Sequence, residues 1–431
     1  MSKVKSVCLL TLLVGLVLML VACSAGETSS ESNQIELEFV NWATAEKATE
    51  EKINKVIDAF ESENPNIKIK PVTVPFSEIQ NQLTVMSNGG NAPDIAQVDA
   101  STGVSLAAMG VLQPVDDLLS QDYESDLISS YYDTGLYEDK HYLVPWTGGI
   151  NGFWYNKKIM KEAGLDPNKP PKTMVELDSA MEAVKKLPDV IPLQFDTSPR
   201  AFAATFQWSF MATIDKIPFD NENVQVDELT KYGEWLRKLV EKEYTLPGKK
   251  LGEFRPLAAQ NRLAFAFDAP LFKGTVQSFD DAITDEVFNE TWGVTTLPAG
   301  EDGKSYSAIG GSDHFTAVFE DSEHKKEAVK FLEFLANSDV ALEEYVMPMG
   351  NLPVTSSAAE RFPELKESPH MKVFLNDILP TAIVPPFGAD YADMATTFAT
   401  QMQELITTKT SIQEILDQIQ KDLDTVTADN E

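Results

Sequence analysis

The sequence predicts an α/β protein, on two observations. From residue 35 onward, short alternating apolar runs exchange with segments whose apolar residues recur at helical spacing. The chain is also long, at 431 residues with 43% apolar and 24% charged side chains, which is enough for two or three domains with cores of their own. A formal net charge of −32 leaves no basic stripe to neutralise phosphates, so nucleic acid is excluded as a partner.

Residues 1–22 read as an address. Lys3 and Lys5 precede an apolar stretch from Val7 to Ala22 that is too short for a comfortable membrane span, and Leu20-Val21-Ala22-Cys23 follows. The tetrapeptide resembles a bacterial lipobox, which implies cleavage before Cys23 and lipid attachment to it. A plain secretory signal and an uncleaved anchor are the alternatives. Loss of Lys3 and Lys5 takes the net charge to −34, and Cys8 leaves with the signal. No thiol then remains for a disulfide, a metal or a nucleophile. Residues 24–34 are small and polar, a flexible tether.

The body opens with alternating Ile35-Glu36-Leu37-Glu38-Phe39-Val40, a strand, then a helix with Ile53, Val56, Ile57 and Phe60 on one face. Asn64-Pro65-Asn66 ends that helix. A second strand at 67–74, a helix at 76–86 and a third strand at 94–98 complete parallel βαβ units, whose ligands bind at the carboxyl ends of the strands. Loops 41–46 and 99–103 lie at those ends. Further on, an apolar stretch from Tyr142 to Lys158 carries a Pro and two Gly between two strands, and helices follow at 157–163 and 175–187. A mixed stretch at 199–212 precedes a helix at 228–242, strands at 263–267 and 292–297, a Gly-containing segment at 305–319 and a helix at 325–336. Ser411 and Glu414 form a capping-box pattern ahead of the stripe Ile412, Ile415, Leu416, Ile419 and Leu423.

Catalytic signatures are missing: no P-loop, no H-E-x-x-H, no C-x-x-C and no G-x-S-x-G. Ser312, Asp313 and His314 are adjacent, but neighbours on a strand point to opposite faces, so they form no triad among themselves. The four His show no metal-ligand spacing. The sequence calls for no cofactor, no metal and no catalytic residue.

Asn64-Pro65-Asn66-Ile67, Ala92-Pro93-Asp94-Ile95, Gly110-Val111-Leu112-Gln113-Pro114-Val115, Pro145-Trp146 with Tyr155-Asn156-Lys157, the run from Trp292 to Pro298, a Gly-Gly segment and the helix at 328–336 occur in that order. This order is similar to the family-1 extracellular solute-binding proteins of ABC transporters, the maltose-binding-protein-like group. The resemblance implies a type II fold of two lobes, each a mainly parallel sheet flanked by helices, joined by three crossings. These fall near residues 143–146, 307–312 and 347–351, so the lobes are 35–145 with 309–346 and 146–308 with 347–431. It implies a lipid-anchored, monomeric receptor on the outer face of the bacterial membrane. Such a receptor closes on a small polar solute, most simply a sugar or oligosaccharide, and hands it to an ABC permease. A charged solute such as an amino acid or polyamine, or a secreted carbohydrate-active hydrolase, is the alternative.

A sugar needs aromatic platforms and polar forks. Candidate ligand-binding residues are Trp42 and Glu46 in the first strand–helix loop, Asp99 after the third strand, Trp146, Trp208, Asp268, Gly311 and Ser312, and Phe387 and Tyr391. Trp42, Trp146 and Trp208 suit site and core equally, whereas Trp154, Trp235 and Trp292 suit the core. Asp94, just before a buried strand, is positioned to accept backbone N–H groups, and Asn156 to cap a helix. Where the family carries a Trp that stacks on the sugar, this chain has Leu271, with Phe272 or an aromatic elsewhere as the replacement.

Overall fold

A computed structural model describes residues 34–47, 49–215, 219–220, 223–311 and 313–428. The signal segment, Cys23, the tether to residue 33 and Ser312 lie outside the described residues.

Strands β1 (Ile35–Asn41), β2 (Ile67–Thr73), β3 (Ile95–Val98), β4 (Leu143–Thr147), β5 (Gly152–Asn156), β6 (Ile191–Leu193), β7 (Leu263–Asp268), β8 (Trp292–Thr295) and β9 (His314–Val318) build two sheets. The first has the order β2-β1-β3-β9-β4 and the second β8-β5-β7-β6. In the first, β1 pairs in parallel with β2 (Ile35 opposite Ile67) and with β3 (Phe39 opposite Ile95), while β9 runs against both β3 and β4. In the second, β7 is parallel to β6 and antiparallel to β5, and β8 is antiparallel to β5. Each sheet therefore contains one reversed strand, β9 and β5 respectively, among strands that share a direction.

The helices used below are α1 (Glu50–Glu63), α2 (Ile79–Asn88), α3 (Ala100–Ala108), α4 (Met174–Val184), α5 (Ala201–Ile214), α6 (Thr230–Glu241), α7 (Lys325–Asn337), α8 (Tyr391–Thr407) and α9 (Ile412–Ala428). Helix α1 buries the four expected residues, and Phe60 meets Phe331 of α7 with ring centroids 4.9 Å apart. The Asp94 carboxylate accepts from the Glu38 N–H (2.9 Å) and the Ser322 hydroxyl, so its role is to tie β1 and the segment after β9 to β3. Asn156 caps the helix Lys157–Glu162 by accepting from the N–H groups of Lys158 and Ile159. At the head of α9 the expected reciprocal box forms: Ser411 N–H donates to Glu414 Oε2, and Glu414 N–H donates to Ser411 Oγ.

The sequence pattern missed one helix. Residues 199–212 are chiefly α5, a helix buried on nearly every side, and a helix without an exposed face carries no 3.6-residue polarity signal. Residues 143–146, where the first crossing is expected, lie in a strand. They belong to β4, which continues to Thr147 on an edge of the first sheet, where Pro145 interrupts no ladder on the outer side. The passage to the second sheet follows at 148–151, where Gly148 exchanges two backbone hydrogen bonds with Leu352 (2.7 and 2.8 Å). A Cβ on Gly148 would stand 2.7 Å from the Tyr131 ring. The return passage contains Ser307–Ala308, paired in parallel with Ala382–Ile383.

Aromatic packing dominates the second core. Trp154, Phe272, Phe288 and Trp292 contact one another around His370, which lies 5.0 Å from Trp154 and 5.5 Å from Phe288. Burial pushes the His370 imidazole down to about 4. An unfolded imidazole takes its proton near 6.5, so between these values the unfolded chain binds the extra proton. Stability is thus complete above pH ~6.5 and falls as the pH drops towards 4, by on the order of 3 kcal/mol for this residue. Urea unfolding of His370→Gln at pH 7 and pH 4.5 is expected to show a smaller acid loss than the parent protein, and equal losses would refute the assignment.

Candidate functional site

A cavity of about 300 Å³ opens at the carboxyl ends of β1 and β3 and is closed on its far side by the first turns of α5 and α8. Its first wall carries Trp42, Phe76, Asp99 and His314, and its second Arg200, Phe202, Thr205 and Tyr391, with Gly310 and Gly311 between them.

Trp42 follows directly on β1. Its backbone N–H donates to Gln97 Oε1 (3.1 Å), and its ring meets Phe76 and His314 edge-on, each at 5.2 Å. Phe76 is 51% exposed on the cavity wall. Asp99 caps α3, with one carboxylate oxygen on the Thr102 N–H (3.0 Å) and the other on the Thr102 hydroxyl (2.8 Å). Both oxygens thus have partners within the protein.

The second wall hangs on Tyr391. Its hydroxyl accepts from Trp208 Nε1 (2.9 Å) and shares a hydrogen bond with Thr205 Oγ1 (2.7 Å), which locks the start of α8 to α5. Burial raises its pKa far above the ordinary tyrosine value. Arg200 stands at the entrance of α5 with its Nη2 on Asp196 (3.3 Å), its Nε on Ser198 Oγ (3.0 Å) and its guanidinium 5.9 Å from the Phe202 ring. Gly310 has φ +95°, and a Cβ there would lie 2.3 Å from Phe387. Only glycine lets the segment pass.

Of the ten candidate residues, Trp42, Asp99, Gly311 and Tyr391 meet on this cavity, and Ser312 lies outside the described residues. Trp208 and Phe387 stand behind the wall, the first holding Tyr391 and the second packed on its ring at 4.6 Å. Glu46 is exposed in the turn before α1 and is not among the lining residues; its carbonyl accepts from Thr49 and Glu50. Trp146 is 1% exposed and stacked on Tyr345 at 4.8 Å, inside the first core. Asp268 is fully buried at the end of β7 in a two-bond pair with Arg255 (both 2.9 Å), and also accepts from Gln194 (3.1 Å). Both are structural by these contacts. Phe272 is no stand-in for the missing stacking Trp, because it is buried between Trp154 and Trp292.

Sequence reasoning passed over Phe76, Arg200, Phe202 and His314. Phe76 stands in the short helical turn Phe76–Glu78 ahead of α2, inside the helix expected over 76–86. The other three depend on contacts between distant segments. Among the described residues no group of three or more His, Cys, Asp or Glu is placed to hold a metal ion, and no helix is long and apolar enough to cross a membrane.

Two helix-flanked sheets, with a cavity at strand ends of the first, are the architecture of the two-lobed class. The chain belongs to the bacterial extracellular solute-binding proteins, whose family model matches residues 38–341. Over 333 residues it is 26% identical to the sn-glycerol-3-phosphate-binding periplasmic protein UgpB of Escherichia coli, covering 74% of each chain. Its fold is shared with the cyclic alpha-maltosyl-1,6-maltose binding protein of Arthrobacter globiformis (TM-score 0.75, 22% identity, 91% of this chain and 99% of the other). The maltose-bound MalE3 of T. maritima is equally similar in fold (TM-score 0.76, 18% identity, 91% and 100%).

Proposed function

We propose that this protein is a lipid-anchored, monomeric receptor that captures a sugar or oligosaccharide between its two lobes and delivers it to the permease of an ABC importer. The observation that carries the reading is the cavity's pair of aromatic walls, Trp42 with Phe76 on one side and Phe202 with Tyr391 on the other. Apolar sugar faces stack on such rings while their hydroxyls reach polar groups at the edge. One lobe is built on each sheet, and the segments at 148–151, 307–313 and 347–351 act as the hinge. Closure brings the start of α5 and α8 towards Trp42, and the closed form is what the permease distinguishes. The anchor rests on Leu20-Val21-Ala22-Cys23 and places the receptor on the outer face of the membrane.

Arg200 favours a second reading. Its guanidinium is paired with Asp196 through one nitrogen, and the part that remains on the cavity wall suits an anionic solute, in line with the glycerol-phosphate relative. No catalytic step is assigned, in keeping with a family of binding proteins.

Purified residues 24–431 are tested by thermal shift and calorimetry against maltose, maltotriose, a cyclic maltosyl-maltose and sn-glycerol 3-phosphate. At 100 times Kd a true ligand stabilises by about 2.7 kcal/mol. Turnover of any of these compounds would sink the receptor reading. Phe76→Ala is expected to weaken binding of the stabilising compound about tenfold or more while the unfolding midpoint stays within about 0.5 kcal/mol, as expected for an exposed ring. Unchanged affinity would remove Phe76 from the site.

A further inference from the structure

We propose that His314 is a hydrogen-bond donor of the cleft, held in one tautomer by Gln97, and that the solute meets it with an acceptor oxygen. The inference rests on the reading of this cavity as the solute site.

Gln97 is fully buried on β3. Its Oε1 accepts from the backbone N–H groups of Trp42 and Ala43, each at 3.1 Å. Two donors aimed at one atom settle the orientation of the amide, because the NH₂ group in that place would face both of them. The amide nitrogen is therefore the atom 3.3 Å from His314 Nδ1, and an amide nitrogen only donates. Nδ1 keeps its lone pair, and the ring proton sits on Nε2. No protein partner for Nε2 is found among the described residues, and the ring lies on the cavity wall against Trp42. The pairing of β9 with β4 shifts register between His314 and Phe315, an irregularity of the kind that re-aims a side chain at the end of a strand.

The same geometry resists protonation, since a proton on Nδ1 would point at the Gln97 NH₂ group. Burial acts in the same direction and pushes the imidazole down to about 4. The charged groups around the cavity are Asp99, occupied by Thr102, Asp313, whose Oδ1 accepts the Gly310 N–H, and Arg200 on the opposite wall. From β4, Trp146 and Thr147 face His314 and carry no charge. Between pH 5 and 8 the cleft thus offers a donor that does not change. A hydroxyl, ring or carboxylate oxygen fits it, whereas an ammonium meets an N–H and is refused, which argues against a polyamine.

The tautomer is read without any ligand. Long-range ¹H–¹⁵N correlation of the imidazoles of residues 24–431 is expected to show His314 with its proton on Nε2 alone from pH 8 to 5. Gln97→Glu places a carboxylate oxygen against Nδ1, so the proton moves there and proton affinity rises tenfold or more. A proton on Nδ1 in the parent protein, a mixture of tautomers, or titration near 6.5 overturns the proposal, and the parent spectrum decides even if Gln97→Glu does not fold. Maltose is then titrated into the parent sample. Heat-detected saturation that leaves the Nε2–H signal unmoved overturns the contact with the solute. Absence of maltose binding counts against the proposed function, and the tautomer spectrum still decides this inference.

Discussion

Trp146→Ala is expected to lower the free energy of unfolding by about 3–5 kcal/mol and to leave solute affinity nearly unchanged. The indole lies flat on Tyr345 (17° between planes) and edge-on to Phe39, which in turn packs on Phe331 of α7. Truncation therefore empties a site shared by β1, β4, α7 and the helical turn at Leu342–Val346, and side chains held by four elements collapse poorly into the gap. Trp146→Phe keeps the stack and is expected to recover most of the loss. Urea unfolding supplies the stability and calorimetry the affinity. A large drop in affinity with an unchanged unfolding midpoint would return Trp146 to the site.

Arg255→Ala is expected to cost a similar 3–5 kcal/mol, because it strands the buried Asp268 carboxylate without its cation. The loss has two parts. Asp268 forgoes two charge-assisted hydrogen bonds of 2.9 Å, and what remains, from Gln194 and the Ala269 N–H, does not neutralise a charge at the end of β7. Asp268→Asn is expected to cost less, since a neutral amide needs no counter-ion. The double variant Arg255→Met, Asp268→Leu is expected to stand above Arg255→Ala in stability, as buried pairs replaced by apolar groups often do. Equal stability of Arg255→Ala and the parent protein refutes the account, and lost solute affinity at unchanged stability would place Asp268 in the binding machinery.

Much of the molecule is legible in local patterns. The alternation of Leu37 and Phe39, the stripe Ile53, Val56, Ile57 and Phe60, the cap Asn156 and the Ser411–Glu414 box all depend on neighbours within a few residues, and all form where the sequence places them. Helix α5 was illegible for the opposite reason. Enclosed by β7, α6 and α8, it needs no polar face, and its composition carries no period. The loops at the ends of β1 and β3 point to the cleft because open parallel sheets bind ligands there. Which tryptophan reaches it depends on segments far apart in the chain: Trp208, buried in α5, gives its N–H to Tyr391, and Tyr391 is the residue that lines the wall.

By itself the sequence determined the α/β class, the family, and the strand ends where a solute would bind, since these follow from periodicity and from short motifs that act locally. Only the tertiary structure decided which polar groups are free to meet that solute. Asp99 and Asp268 read alike as carboxylates after strands, but Asp99 lines the cavity beside Thr102, whereas Arg255 and Gln194 enclose Asp268 in the interior. His314 reads as one of three adjacent polar residues, and a buried glutamine more than two hundred positions away sets where its proton lies. Hydrogen bonds between distant segments saturate some groups and leave others open, and that outcome depends on distances that no spacing along the chain records.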